Sequence, residues 1–291
     1  MDRTIQEMTW AVVGMGLIGG SYAKRLTELG ARVIGINRSA EPLAAALSDG
    51  AVAETGEEHL SEADGVIFAV PEAVTEAFVR AHAGDFKPGA VLTDAAGVKS
   101  GGAARIQALL PAGMDFISGH PMAGREGSRY DMADAGIFDG ANYLLIPLPA
   151  NRRDHVERIR ALALALGCGH VEEVTAEAHD RIIAYTSDLL HAIAASIVNS
   201  SSLEARTRYF TAGAFRDMTR IADINGPLWT ALFLENRENV LREIGRFRSA
   251  LDRFSVALEQ NDEAGLLDFL REAGERKRGM TYGNHSRQSG K

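Results

Sequence analysis

Gly14-Met15-Gly16-Leu17-Ile18-Gly19 is the stretch on which the fold turns: it follows the apolar run Trp10-Ala11-Val12-Val13 and leads into an amphipathic segment, 18–29, that closes at Gly30. A G-x-G-x-x-G run is informative in that context, with a strand before it and a helix after it. Each glycine has its own task. Gly14 permits the tight turn, Gly16 lets the backbone approach a pyrophosphate, and Gly19 lets the helix pack close to the strand. The first N–H groups of the helix, at Leu17 and Ile18 among others, then face the anion. The expectation is a Rossmann-type dinucleotide site whose cofactor-binding residues are Gly14, Gly16, Leu17, Ile18 and Gly19.

Outward from this loop, short apolar runs at 32–36, 65–70, 90–94, 115–119 and 142–146 alternate with amphipathic stretches, as strand 9–13 does with 18–29. That alternation is the βαβ signature of a parallel sheet covered by helices. Segment 152–166 places Val156, Ile159, Ala163 and Leu166 at helical spacing, and 171–174 returns as one more strand. From about Thr175 the residues are helix-forming, with breaks at 211–214 and 225–227 and apolar spacing at Leu232, Val240, Ile244, Phe247, Leu251 and Phe254. The predicted class is therefore α/β, with a Rossmann-type domain over 1–174 and an all-helical domain over 175–291. The polar stretch 275–291 is expected to fray.

Composition fits this reading and closes off others. A chain of 291 residues is long enough for two domains. Its 46% hydrophobic and 24% charged residues exclude wholesale disorder and a fibrous chain. A net charge of −8 repels a phosphate backbone, so no nucleic acid partner is expected. Continuous apolar runs fall short of the roughly 18 to 20 residues that span a bilayer, and 1–10 has no apolar leader core. The expectations are no membrane partner and a cytoplasmic location. Cys168, the single cysteine, excludes an intrachain disulfide and a multi-cysteine metal site; it reads as a small buried residue, and no metal is expected.

Cofactor specificity is read at the end of the second strand, where an acid would hydrogen-bond a ribose 2′-hydroxyl. Asn37 stands there instead, followed by Arg38 and Ser39. With no carboxylate to repel it, a 2′-phosphate fits between the Arg38 guanidinium and the Ser39 hydroxyl, which favours NADP over NAD. A dinucleotide fold leaves the chemistry open, so the remaining polar residues must supply it. Ser118-Gly119-His120-Pro121-Met122-Ala123-Gly124 ends a strand at the carboxyl edge, where such sheets bind ligands, and His120 faces the nicotinamide crevice.

Four runs, taken together, resemble the prephenate and arogenate dehydrogenase family. They are 14–21, 119–126 with its His-Pro-Met-Ala-Gly core, Ser187-Asp188-Leu189-Leu190-His191, and Ala214-Phe215-Arg216-Asp217-Met218-Thr219-Arg220-Ile221-Ala222 with the downstream Pro227-Leu228-Trp229 and Phe233-Leu234-Glu235-Asn236. The glycine loop is common to many families, whereas the other runs are far more specific. The resemblance extends from about Met8 to Gly274. It implies NAD(P)-dependent oxidative decarboxylation of prephenate, arogenate or both in tyrosine biosynthesis, and a homodimer formed through the helical domain. It also implies that His120 is the proton acceptor, with Arg220 and His191 in the substrate pocket. The chemistry suits these types: a neutral imidazole accepts a proton near pH 7, and guanidinium meets carboxylate bidentately.

Two departures from the family pattern stand out. Many members carry a serine in the loop after the fourth strand that orients the histidine; here Gly97 occupies that place, so the orienting group must come from elsewhere. Asp188 stands where many members have histidine or glutamine, and as i and i+3 on a helix it can share a pocket with His191 and meet the ammonium of arogenate. Competing expectations are another two-domain NADP dehydrogenase, of β-hydroxyacid or 4-amino-4-deoxyprephenate type, and an NADP-sensing protein without turnover. The β-hydroxyacid type needs an Asn-Lys motif that the second half lacks.

Overall fold

The computed structural model describes residues 3–99, 101–125, 127 and 129–280. Eight strands form one sheet: β1 (Thr9–Val13), β2 (Arg32–Ile36), β3 (Glu54–Thr55), β4 (Gly65–Phe68), β5 (Val91–Asp94), β6 (Asp115–Pro121), β7 (Asn142–Ile146) and β8 (His170–Glu173), in the order β3-β2-β1-β4-β5-β6-β7-β8. The central strands are buried on both faces, which is why they read as unbroken apolar runs. Along β1, Trp10 and Val12 pack into one core while Ala11 and Val13 pack into the other, as the two-residue period of a strand requires. The helices of this part are α1 (Leu17–Glu28), α2 (Ala40–Ser48), α3 (Glu72–His82), α4 (Gly102–Gln107) and α5 (Arg153–Ala165).

The sheet departs from the all-parallel expectation. β7 runs antiparallel to β6, with His120 opposite Leu144, and β8 is parallel to β7. Among the described residues the chain from β6 to β7 carries only 3-10 turns, at Tyr130–Met132 and Ala135–Phe138, and no helix with which to make a parallel crossover. The order reverses at β1: the chain leaves it toward β2 and β3, then returns to its other side with β4. That switch point puts the carboxyl ends of β1, β4, β5 and β6 on one edge.

The helical part comprises α6 (Ala176–Ile183), α7 (Leu189–Val198), α8 (Gly213–Thr219), α9 (Gly226–Glu235), α10 (Arg237–Glu259) and α11 (Glu263–Gly279). A π-helical turn, Ala184–Asp188, joins α6 to α7 without a break. The continuous run Ala176–Val198 is long and apolar enough, by length and composition alone, to cross a membrane. The sequence reading missed it because scattered polar residues interrupt every apolar stretch within it. Two further readings change. The break read at 225–227 lies slightly earlier, at 223–225, and Gly226 and Pro227 open α9, with Asn225 Oδ1 accepting from Leu228 N at 3.2 Å. Residues 275–279 of the stretch expected to fray are helical in α11, while 281–291 lie outside the described residues.

The chain divides into two compact units. One holds the residues up to Asp180 together with Asp223–Leu232; the other holds Arg181–Ala222 and the chain from Phe233 onward.

Candidate active site

The first unit builds its site on the glycine loop. Gly14 has φ +98°, and a Cβ there would lie 2.5 Å from Val70 Cγ1 and 2.6 Å from the Ala69 carbonyl oxygen. A Cβ on Gly19 would sit 1.8 Å from the Gly14 carbonyl oxygen, so the loop, the β4 edge and α1 close up only because both side chains are missing. Gly16 takes the N-cap position of α1 and supplies no side-chain cap. The first N–H groups of this twelve-residue helix, at Leu17, Ile18 and Gly19, are thus left for an anion. This cradle fits a dinucleotide pyrophosphate.

Asn37 has a role the sequence did not disclose. Its Oδ1 accepts from Met15 N at 3.1 Å and its Nδ2 donates to the Ser39 carbonyl at 3.0 Å, so it braces the glycine loop against the end of β2. Arg38 and Ser39 are exposed beside it. Arg38 has no ion pair among the described residues.

His120 lies in β6 itself, not in the loop beyond it. A bonded group at the carboxyl edge fixes this end of the strand. Asp94 Oδ1 accepts from Ser118 Oγ at 2.7 Å and from Gly119 N at 2.9 Å; its Oδ2 accepts from Lys99 Nζ at 2.7 Å and Ala96 N at 3.2 Å. Lys99 Nζ also donates to the Gly119 carbonyl at 2.6 Å. Lys99 is only 2% exposed, so its charge is carried by these partners and not by water. Sequence reading singled out neither Asp94 nor Lys99. A lysine and an aspartate five residues apart around Ala-Ala-Gly-Val are the signal that was available.

His120 Nδ1 lies 2.9 Å from Nε2 of His179, a buried residue of α6 absent from the sequence-derived site. His179 Nδ1 is 2.7 Å from Asp180 Oδ1, which also accepts from Lys99 N at 2.8 Å. The imidazole of His120 is held well below its ordinary pKa, first by burial, then by the Lys99 charge and by His179. It is therefore a neutral base at pH 7. Gly97 stands near this group: a Cβ there would meet only Leu232, at 3.5 Å, so a side chain has room.

The second unit holds the remaining residues read from sequence. His191 Nδ1 donates to the Ser187 carbonyl at 3.0 Å, and its pKa is lowered chiefly by burial, with the Arg220 charge adding to the effect against the Ser187 bond. Arg220 is exposed, in a 3-10 turn that follows α8. Asp188 closes the π-helical turn, is 2% exposed, and accepts from Asn236 Nδ2 at 2.8 Å. Asn239 in turn donates to Asn236 Oδ1 at 2.8 Å, tying the turn to α10.

Known proteins match this architecture along most of the chain. The prephenate dehydrogenase nucleotide-binding domain matches residues 22–172, beginning just beyond the glycine loop, and the prephenate dehydrogenase dimerization domain matches residues 175–272. Prephenate dehydrogenase from Bacillus subtilis is 31% identical over 283 residues, covering 94% of this chain and 76% of its own. The crystal structure of prephenate dehydrogenase from A. aeolicus in complex with hydroxyphenyl propionate and NAD+ superimposes with a TM-score of 0.85 at 24% identity, covering 96% of this chain and 98% of that one. Synechocystis arogenate dehydrogenase gives a TM-score of 0.79 at 25% identity, covering 94% of this chain and 100% of that one.

Proposed function

From the premise that the chain belongs to the prephenate dehydrogenase family, we propose that it is an NAD(P)-dependent oxidoreductase that decarboxylates prephenate, arogenate or both during tyrosine biosynthesis. The observation that carries this reading is a half-buried, neutral His120 on the same sheet edge as an uncapped, glycine-lined helix terminus. When bound, the nicotinamide accepts the hydride that C4 of the ring gives up. His120 takes the proton of the 4-hydroxyl at its Nε2 and returns it to the phenolate oxygen once the C1 carboxylate has left as CO2 and the ring has become aromatic. The same residue thus serves as base and then as acid, and no proton is left over. The loop 14–19 holds the pyrophosphate. In this reading Arg220 takes a substrate carboxylate in a bidentate pair, His191 is a further substrate contact, and Asp188 meets the ammonium when arogenate is the substrate.

The dinucleotide is NADP in this reading, because Asn37 braces the loop in place of an acid while the exposed Arg38 and Ser39 suit a 2′-phosphate. A matrix of prephenate and arogenate against NAD and NADP, followed at the NADPH absorbance, tests both parts. Turnover of at least one substrate with NADP preferred is expected. Turnover of neither would overturn the function, and NAD winning tenfold or more, about 1.4 kcal/mol, would overturn the 2′-phosphate site.

Arg220→Lys is expected to weaken substrate about 10-fold to 100-fold while dinucleotide affinity stays within twofold, since an ammonium does not reproduce a bidentate pair. Calorimetry that finds equal losses for both ligands would make Arg220 structural. The helical part is read as the homodimer contact, and α10 and α11 expose Leu241, Leu251, Leu258, Leu267 and Leu270 for it.

A further inference from the structure

We infer that His179 and Asp180 are positioning residues for His120, a hydrogen-bonded relay that holds its imidazole with a bare Nε2 and steadies the positive charge that the ring acquires. The inference rests on the reading of His120 as the base and supplies what orients it. It follows from donors and acceptors with His179 uncharged. Asp180 Oδ1 already accepts from Lys99 N at 2.8 Å, and an ionised carboxylate has only acceptors to offer, so the contact at 2.7 Å requires the hydrogen to sit on His179 Nδ1. A neutral His179 then presents a lone pair at Nε2. The 2.9 Å contact there requires the hydrogen of His120 on Nδ1, which leaves Nε2 of His120 without one.

Burial makes this arrangement selective. His179 is 1% and Asp180 6% exposed, so water does not substitute for either partner. Two elements converge on the ring. From the loop after β5 comes Lys99, whose ammonium is bonded to Asp94 and the Gly119 carbonyl and whose backbone N–H fixes Asp180; from α6 come His179 and Asp180 themselves. The two sets act in opposite senses. Lys99 disfavours the imidazolium before reaction, and the Asp180 carboxylate, acting through His179, favours it once the proton has arrived. In the proton transfer the substrate O–H bond breaks and the Nε2–H bond of His120 forms; the Nδ1 hydrogen stays in place, and the charge is shared by polarisation along the relay.

Nitrogen-15 NMR of histidine-labelled full-length protein, without substrate or dinucleotide, reads the tautomer directly. His120 is expected to carry its hydrogen on Nδ1; a hydrogen on Nε2, as an imidazolium His179 would impose, overturns the inference. The kinetic arm uses three variants. His179→Phe is expected to lower kcat about 100-fold or more with KM and dinucleotide Kd within twofold, and His179→Gln, whose carbonyl can accept from Nδ1, to recover at least tenfold of that loss. Asp180→Asn keeps its oxygen between two donors but removes the charge, so the acid limb of kcat/KM moves to lower pH. A merely structural role would lower the rate equally at every pH. Turnover of His179→Phe within threefold of wild type overturns the inference, and should that variant fail to fold, an acid limb of Asp180→Asn that stays at the wild-type position does the same. A wild-type protein inactive on both prephenate and arogenate would instead defeat the proposed function, with the NMR result still deciding the tautomer.

Discussion

His120→Asn folds normally and binds dinucleotide, but its turnover falls about 100-fold to 10,000-fold. Asparagine is small enough for the site, and its amide can donate to His179 Nε2 as the imidazole Nδ1 does, so the strand end and its neighbours are kept. What it lacks is a nitrogen that accepts a proton near neutrality. The acid side of the wild-type profile gives an independent reading. Because burial, Lys99 and His179 depress the pKa of His120, the base form persists below pH 6.5, and kcat/KM falls only as pH drops through that lowered value. The same depression enters stability with a definite sign. His120 binds its proton less readily folded than unfolded, so its contribution is complete above about pH 6.5 and is lost as pH falls from there toward the folded value. Near wild-type turnover of His120→Asn at pH 7 would sink the assignment.

Lys99→Met costs about 3 to 5 kcal/mol of stability, the largest loss expected of any single change in the first unit. Methionine fills much of the lysine's volume, so the effect is electrostatic. Asp94 is 4% exposed and keeps Ser118 Oγ and two backbone N–H groups, but no positive charge remains beside it. The Gly119 carbonyl loses a donor as well. Urea unfolding measures the loss, and the double variant Lys99→Met with Asp94→Asn should regain a good part of it, because the stranded charge goes too. A loss below about 1 kcal/mol for the single variant would show that the three remaining donors suffice for Asp94. Removing the ammonium also lifts one of the causes that depress His120, so in any folded variant the acid limb should move to higher pH.

Much of the first unit was legible because each signal there is local. Three strands run between the same residues as their apolar stretches, Thr9–Val13, Arg32–Ile36 and Asn142–Ile146, and α1 starts one residue early at Leu17. Strand β3, two residues long, is too short to leave any period in the sequence. The direction of β7 was hidden for another reason: Asn142 to Ile146 is equally apolar whichever way it runs, and only the missing helix before it decides. His120 was found through a distinctive run, whereas His179 was not, because it lies on a helix where a histidine is unremarkable until its partner 59 residues earlier is in view. The π-helical turn was invisible for the opposite reason, since it inserts one residue into a helix that the apolar spacing had already accounted for.

The antiparallel pairing of β7 with β6 has a bearing on motion. β6 is hydrogen-bonded on both sides, to β5 up to Ile117 and to β7 from Ser118 through Pro121, and the chain just after it is still held by Met122 N on the Asn142 carbonyl at 2.8 Å. The base therefore rides on the interior of a ladder. Its main chain has no local opening short of separating two strands, so amide hydrogens at Ser118 to His120 should exchange with deuterium only in openings about as costly as unfolding the unit. Any slow step that limits turnover then belongs to other segments: the ring that takes the proton is already parked where it works, and entry or exit of ligands must be timed by something else.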